Sequence, residues 1–182
     1  MKKVISLTRI ILSSIFLIFS LHLTAQTVNN VSGFTSNGTF ITNDVIEITV
    51  NFSEAVSVNT TGGTPRLKLN TTPTRYATYS AGSGGSTLIF NYTVQSGDTS
   101  SDLGYTSNGD LTLNSGTIVA LDDGANATLT LPEPGQQNSL SFNKNYVIDT
   151  TAPTITGTTI AGNNSTIAVT FSEAVYDTDG GS

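Results

Sequence analysis

Phe52-Ser53-Glu54-Ala55-Val56 is repeated, letter for letter, as Phe171-Ser172-Glu173-Ala174-Val175. Each copy closes an alternating run. The first is Ile46-Glu47-Ile48-Thr49-Val50-Asn51-Phe52 and the second is Ile167-Ala168-Val169-Thr170-Phe171. A period of two with apolar residues on alternate positions is the pattern of a half-buried β-strand. The copies, at 52 and 171, lie 119 residues apart. That is too long for a solenoid repeat and fits one β-sandwich domain of roughly 100 residues. Between them, Val147-Ile148-Asp149-Thr150-Thr151-Ala152-Pro153 reads as a junction. The expected layout is a module over 26–149, a linker over 150–153, and the first strands of a second module over 154–182. On this reading the chain stops in mid-domain and belongs to a longer tandem array.

The first 25 residues are set apart. Lys2, Lys3 and Arg9 precede an apolar stretch, 10–23, and Leu23-Thr24-Ala25 offers a small residue for cleavage after Ala25. This is the pattern of a secretory signal peptide, too short in its apolar part to span roughly 30 Å of hydrocarbon comfortably. Export to the cell surface or medium follows, with no membrane insertion of the mature chain. Removing residues 1–25 leaves four basic residues, Arg66, Lys68, Arg75 and Lys144, against 13 acidic ones, a net charge of 4 − 13 = −9. Such a surface repels nucleic acid and anionic lipid. The only histidine, His22, and the only methionine, Met1, leave with the signal, and cysteine and tryptophan are absent. Without His or Cys there is no zinc site of the usual kind, no Ser-His-Asp triad, no Cys-His pair and no disulfide.

Period-two runs bounded by turn clusters predict strands at about 28–34, 45–52, 66–70, 75–80, 87–94, 111–113, 117–121, 129–131 and 146–148. Ile46, Ile48, Val50 and Phe52 should share one face, as should Leu67 with Leu69, and Leu88 with Phe90, Tyr92 and Val94. Seven or more strands with hairpin connections describe an all-β chain, an immunoglobulin-like antiparallel β-sandwich. A closed barrel is the structural alternative. The regular alternation, with aromatics in register, argues against a disordered Thr/Ser-rich linker.

Several phrases resemble the bacterial Ig-like repeats of large exported surface proteins and adhesins. They are Ile48-Thr49-Val50-Asn51-Phe52-Ser53-Glu54-Ala55-Val56, Thr64-Pro65-Arg66-Leu67-Lys68-Leu69, Ala77-Thr78-Tyr79-Ser80-Ala81-Gly82-Ser83-Gly84, Leu88-Ile89-Phe90-Asn91-Tyr92-Thr93-Val94 and Ile148-Asp149-Thr150-Thr151-Ala152-Pro153. The likeness covers about 28–149, and 153–182 looks like the start of a related repeat. The Thr-Ala-Gln at the signal's end resembles those of Bacteroidota proteins. The resemblance implies a non-catalytic structural or adhesive module. Its partners would be neighbouring Ig-like modules in the same chain and a cell-surface glycan or protein ligand. It does not imply one activity, since fold and function are separate claims.

On a sandwich, the acidic residues fall at two poles. Glu54 ends the second strand at the pole where the first begins, and the loop with Asp122, Asp123 and Asn126 belongs there too. Asp98, Asp102, Asp110 and Asp149 belong at the opposite pole, facing the junction that Glu173 would approach from the second module. Ca²⁺ takes 6–8 oxygen ligands, including carboxylates and loop carbonyls. Asp149, Glu173, Asp98 and Asp102 are therefore candidate junction ligands, and Glu54, Asp122, Asp123 and Asn126 candidates at the N-terminal pole. A neutralised junction would stiffen the linker. The competing reading is that these are solvated turn residues, since Asp and Asn bond their own backbone in turns. Asp149-Thr150-Thr151 also resembles the acceptor sequence of Bacteroidota O-glycosylation; an ordinary turn before Pro153 explains it equally.

Glycoside hydrolysis needs two carboxylates about 5–10 Å apart in a cleft, which small polar loops without a tryptophan do not offer. Phosphoryl transfer lacks a Gly-rich loop followed by Lys. The serious rival is a carbohydrate-binding accessory module of a secreted hydrolase, with Tyr76, Tyr79, Tyr105 and Tyr146 as candidate platforms. Tyr76 and Tyr79 have opposite parity, so at most one faces the core. A planar row of exposed tyrosines would favour sugar binding; scattered single rings would favour a spacer.

Overall fold

The computed structural model describes residues 25–175. Within them the chain is all-β, an Ig-like sandwich followed by a separate hairpin. The signal-peptide reading of residues 1–25 lies almost wholly outside the described residues. The first strands are β1 (Val28–Gly33), β2 (Gly38–Phe40), β3 (Val45–Phe52), β4 (Val56–Asn59) and β5 (Arg66–Lys68). Next come β6 (Tyr76–Ala81), β7 (Thr87–Thr93), β8 (Thr99–Ser100), β9 (Leu111–Thr112) and β10 (Thr117–Ala120). A single helical turn, α1 (Leu140–Asn143), precedes β11 (Tyr146–Asp149), and β12 (Ile155–Ile160) and β13 (Ile167–Phe171) form the hairpin. No helix among the described residues is long and apolar enough to cross a membrane.

The main sheet has the order β1-β3-β7-β6-β5-β9, all antiparallel. Its centre is the β3–β7 ladder, registered from Val45↔Thr93 to Asn51↔Thr87. The expected alternation holds there. Ile46, Ile48, Val50 and Phe52 of β3 and Leu88, Phe90 and Tyr92 of β7 are buried on one side; on the other, Glu47 is exposed and Thr49 is buried. Smaller sheets, β2-β11-β8 and β4-β10, carry Ile118, Tyr146 and Ile148 into the same core, joined by Leu131 and Leu140. Fully burying one such side chain contributes about 1.5–3 kcal/mol, so the β3–β7 face alone supplies much of the driving force.

The structure departs from the expected strands in four places. β2, β4 and β8 are strands, although all are short and rich in Gly, Thr, Ser or Asn. β2 runs parallel to β11, Tyr146 opposite Gly38, so the sandwich is not wholly antiparallel. Residues 129–131 form no ladder; Thr128 makes an isolated bridge to Thr27, and the Leu131 N–H donates to the Asn108 carbonyl at 2.8 Å. The reason is visible in the sequence, where Pro132 and Pro134 interrupt the run. Residues 139–143 form a helical turn that the periodicity did not announce. Ser139 caps it, its side chain accepting from the Phe142 N–H.

Gly33 marks a close approach. A Cβ there would lie 2.5 Å from the Tyr146 hydroxyl oxygen and 2.7 Å from the Glu47 carbonyl oxygen. The end of β1 thus lies directly under β11, where Tyr146 donates to the Thr35 carbonyl at 2.7 Å.

Candidate functional site at the two poles

Strand direction fixes the poles. β1 starts where β3 ends, Val28 opposite Phe52, and β7 ends at the other pole, opposite Val45. β11 leaves at that second pole, with Asp149 opposite Thr99. The module therefore admits the chain at one end and releases it at the other.

At the exit pole the turn after β7 folds Asp98 inward. Its side chain has no exposed surface, and three donors converge on it. The Arg75 Nε–H lies 2.7 Å from Oδ1, and the Tyr92 hydroxyl (2.7 Å) and Gln95 N–H (2.9 Å) both reach Oδ2. Burial opposes ionisation of this carboxyl, but the Gln95 amide, the Tyr92 hydroxyl and the Arg75 guanidinium together hold it below the usual carboxylate range. Burial, reinforced by the neighbouring Asp98 charge, pushes the Tyr92 phenol upward in turn. A buried charge persists only when it is paired and hydrogen-bonded, and here it is both.

The same turn holds the linker. Gly97 N–H donates to Thr150 Oγ1 at 3.0 Å, and that hydroxyl donates to the Asp98 carbonyl at 3.0 Å. Gly97 itself has φ of 85°, a left-handed backbone that glycine adopts without strain. Asp149 sits beside this clamp, its Oδ1 accepting from the Thr151 N–H at 3.0 Å. It also borders a shallow cleft of about 550 Å³ with Asn70, Thr99 and Ser100. Val147 and Ile148 form the apolar part of its wall. Asp102 lies nearby in sequence and is exposed; desolvation raises its carboxyl above the ordinary value. Its carbonyl accepts from Asn70 Nδ2.

Of the expected junction residues, Asp98 is turned inward, Asp149 is half-buried, and Asp102 and Glu173 are exposed. Among the described residues no three His, Cys, Asp or Glu side chains are grouped to hold a metal ion. The physical reason is clearest at Asp98, whose oxygens already satisfy three donors inside the protein. Glu173 follows β13 and is exposed.

At the entry pole, Glu54 and Asp122 do come together. Ala55 accepts from the Leu121 N–H at 3.0 Å, and both acids border a cleft of about 200 Å³. Glu54 accepts from the side-chain amide of Gln26 at 3.3 Å. Asp122 and Asp123 serve their own loop, accepting from the N–H groups of Asp123 and Ala125. Asn126 bridges to Val119. This is turn chemistry of the kind Asp and Asn favour. Asp110 does the same at the exit end, accepting from the N–H groups of Thr106 and Ser107.

The tyrosines are scattered. Tyr76 is 40 % exposed, with the Arg66 guanidinium 4.2 Å from its ring centre. Tyr79 packs edge-on against Phe90, and its hydroxyl accepts from the Ser83 N–H. Tyr105 and Tyr146 are buried, their hydroxyls donating to the carbonyls of Pro132 and Thr35. Burial pushes the Tyr146 phenol up to about 12. Parity correctly separated Tyr76 from Tyr79, and among the described residues no planar row of exposed tyrosines forms.

Sequence reasoning missed Arg75, Tyr92 and Thr150 as one network. The only local signal was the unusual pairing of a basic residue at a strand's start with an aspartate just past the next strand's end. No family model, curated protein or solved structure matches the chain.

Proposed function

We propose that the chain is a non-catalytic Ig-like structural module of an exported bacterial surface protein. It acts as a spacer or presenter between neighbouring modules, with a cell-surface glycan or protein as the ligand of the assembly. The observation that carries this reading is the clamp on Thr150: the chain enters at one pole, leaves at the other, and its exit is tied to a turn rooted in the core. A tether pulled at its two ends would load β11 against β2 and β8 along the strands, so several hydrogen bonds share the force. Scattered tyrosines support the spacer over a carbohydrate platform.

Single-molecule stretching of residues 26–182, held at 26 and 150, tests this. One cooperative event releasing about 400 Å of chain is expected, from 3.3–3.6 Å per extended residue less the folded span. Gradual extension without a discrete step would overturn it. Calcium stiffening of the junction is a separate proposal resting on Asp149 and Glu173. Melts of a two-module chain with calcium and with chelator decide it, and equal midpoints would remove it.

A further inference from the structure

The two copies of the repeated pentapeptide end hairpins that match bond for bond. In the first, Val28, Asn30, Val31, Ser32 and Gly33 pair with Phe52, Asn51, Val50, Thr49 and Ile48. In the second, Ile155, Gly157, Thr158, Thr159 and Ile160 pair with Phe171, Thr170, Val169, Ala168 and Ile167. Every partner on β13 lies 119 residues beyond its β3 counterpart, and every partner on β12 lies 127 beyond its β1 counterpart. Even the irregularity recurs, between 28 and 30 and between 155 and 157. The hairpins close with the same hydrogen bonds. Ser53 N–H donates to the Thr27 carbonyl (2.8 Å) and Thr27 N–H to Ser53 Oγ (3.1 Å). Ser172 N–H donates to the Thr154 carbonyl (2.8 Å) and Thr154 N–H to Ser172 Oγ (3.0 Å).

Their surroundings differ. Ile48, Val50 and Phe52 are at most 4 % exposed, whereas the equivalent Ile167, Val169 and Phe171 are 66, 43 and 37 % exposed. One edge of β3 is taken by β1 and the other by β7 over seven paired positions. β13 has β12 on the first edge and, among the described residues, no strand on the second. The outer edge of β12 corresponds to that of β1, which ends its sheet and carries no further strand there, only the bonds of Val31 with Asn138 and Asn143.

We propose that the open edge of β13 is an acceptor for one more antiparallel strand, registered on it as β7 is on β3. Its occupant is an extended segment with apolar side chains at alternate positions, as in Leu88-Ile89-Phe90-Asn91-Tyr92. Backbone hydrogen bonds would hold it, and its apolar side chains would extend the Ile167-Val169-Phe171 face. A second copy is the weaker occupant. The hairpin's face spans two strands of five or six residues, roughly 10 by 20 Å or about 200 Å² in projection, far below the ~800 Å² per partner of a stable interface. A third strand, by contrast, is the step at which a hairpin with an apolar face gains independent stability. The acceptor rests on the tandem reading only through the likeness of the two hairpins, and the stretching experiment can fail without touching it.

The difference between the offsets also limits what the second unit can become. The connection from 33 to 48 holds 14 residues and places β2 beside β11, whereas that from 160 to 167 holds six. A sandwich grown on β12–β13 therefore lacks a β2 counterpart drawn from this connection.

The test appends this chain's own Ser86–Val94 segment after Val175 through a short Gly-Ser linker, in the otherwise full chain. Tethering supplies an effective concentration in the millimolar range. Amide exchange at Ile167 to Thr170 should slow at least about tenfold relative to the unmodified chain, one kind of gain expected when an open edge is paired. A second appended segment, with Leu88, Phe90 and Tyr92 exchanged for their polar neighbours, should give no protection, because parity decides which face is extended. Equal protection by both segments, or by neither while β3 and β7 stay protected, overturns the proposal. So does protection of Ile167 to Thr170 in the unmodified chain that rises with protein concentration, since the occupant is then a second copy.

Discussion

Replacing Asp98 by Ala removes the acceptor for three donors, and the structure says what each loss costs. The Tyr92 hydroxyl belongs to a residue only 1 % exposed, so it is left buried and unsatisfied, at about 1–3 kcal/mol. The Arg75 side chain is 27 % exposed and Gln95 is an exposed residue, so both recover water and lose only the net value of their bonds. Together with the loss of a desolvated ion pair, the expected destabilisation is about 3–5 kcal/mol. Tyr92→Phe alone takes one of the three donors from Asp98 and should cost about 1–2 kcal/mol. In the double variant no tyrosine hydroxyl remains to be orphaned, so its cost should fall short of the two single costs together by about 1–3 kcal/mol. Urea unfolding of residues 26–182, followed by circular dichroism at constant m, measures all four corners of the cycle. Additivity within about 0.5 kcal/mol would refute the reasoning, because the two groups would then not share one interaction. Faster exchange of the Gly97 amide in the Asp98→Ala protein would further tie the core network to the linker clamp.

Other outcomes follow from the same geometry. Ile48→Ala should cost about 2–5 kcal/mol, while its repeat counterpart Ile167→Ala stays within about 0.5 kcal/mol; equal effects in urea melts would contradict the exposure of the second hairpin. Gly33→Ala drives a Cβ against the Tyr146 hydroxyl and the Glu47 carbonyl, and a loss of about 1–3 kcal/mol is expected from the same melts. Asp98 has a folded-state pKa below its unfolded value of about 3.9, so its stabilisation is present above roughly pH 4 and is lost as pH falls through the folded value. The Asp98→Asn protein should lack that acid-dependent component, and an unchanged pH profile would refute the assignment.

The period-two pattern was enough to delimit β3, β7 and β13 and to name the buried residues of the first two. Alternation is a local property, and it survives wherever a long strand has one face in the core. The entry pole was also legible, because strand direction places Glu54 beside the loop of Asp122. What only the tertiary structure decided are the features whose partners are remote. β2 has three residues and no period; it is a strand because β11, 108 positions away, pairs with it. Asp98 read as a surface acid like its neighbours, yet Arg75 and Tyr92 draw it inside, where charge is stable only because three donors meet there. The pentapeptide reads identically at 52 and 171, but burial is a property of what packs on top. Phe52 and Val56 are core while Phe171 and Val175 are exposed, because β7 and the opposing sheet cover only the first copy.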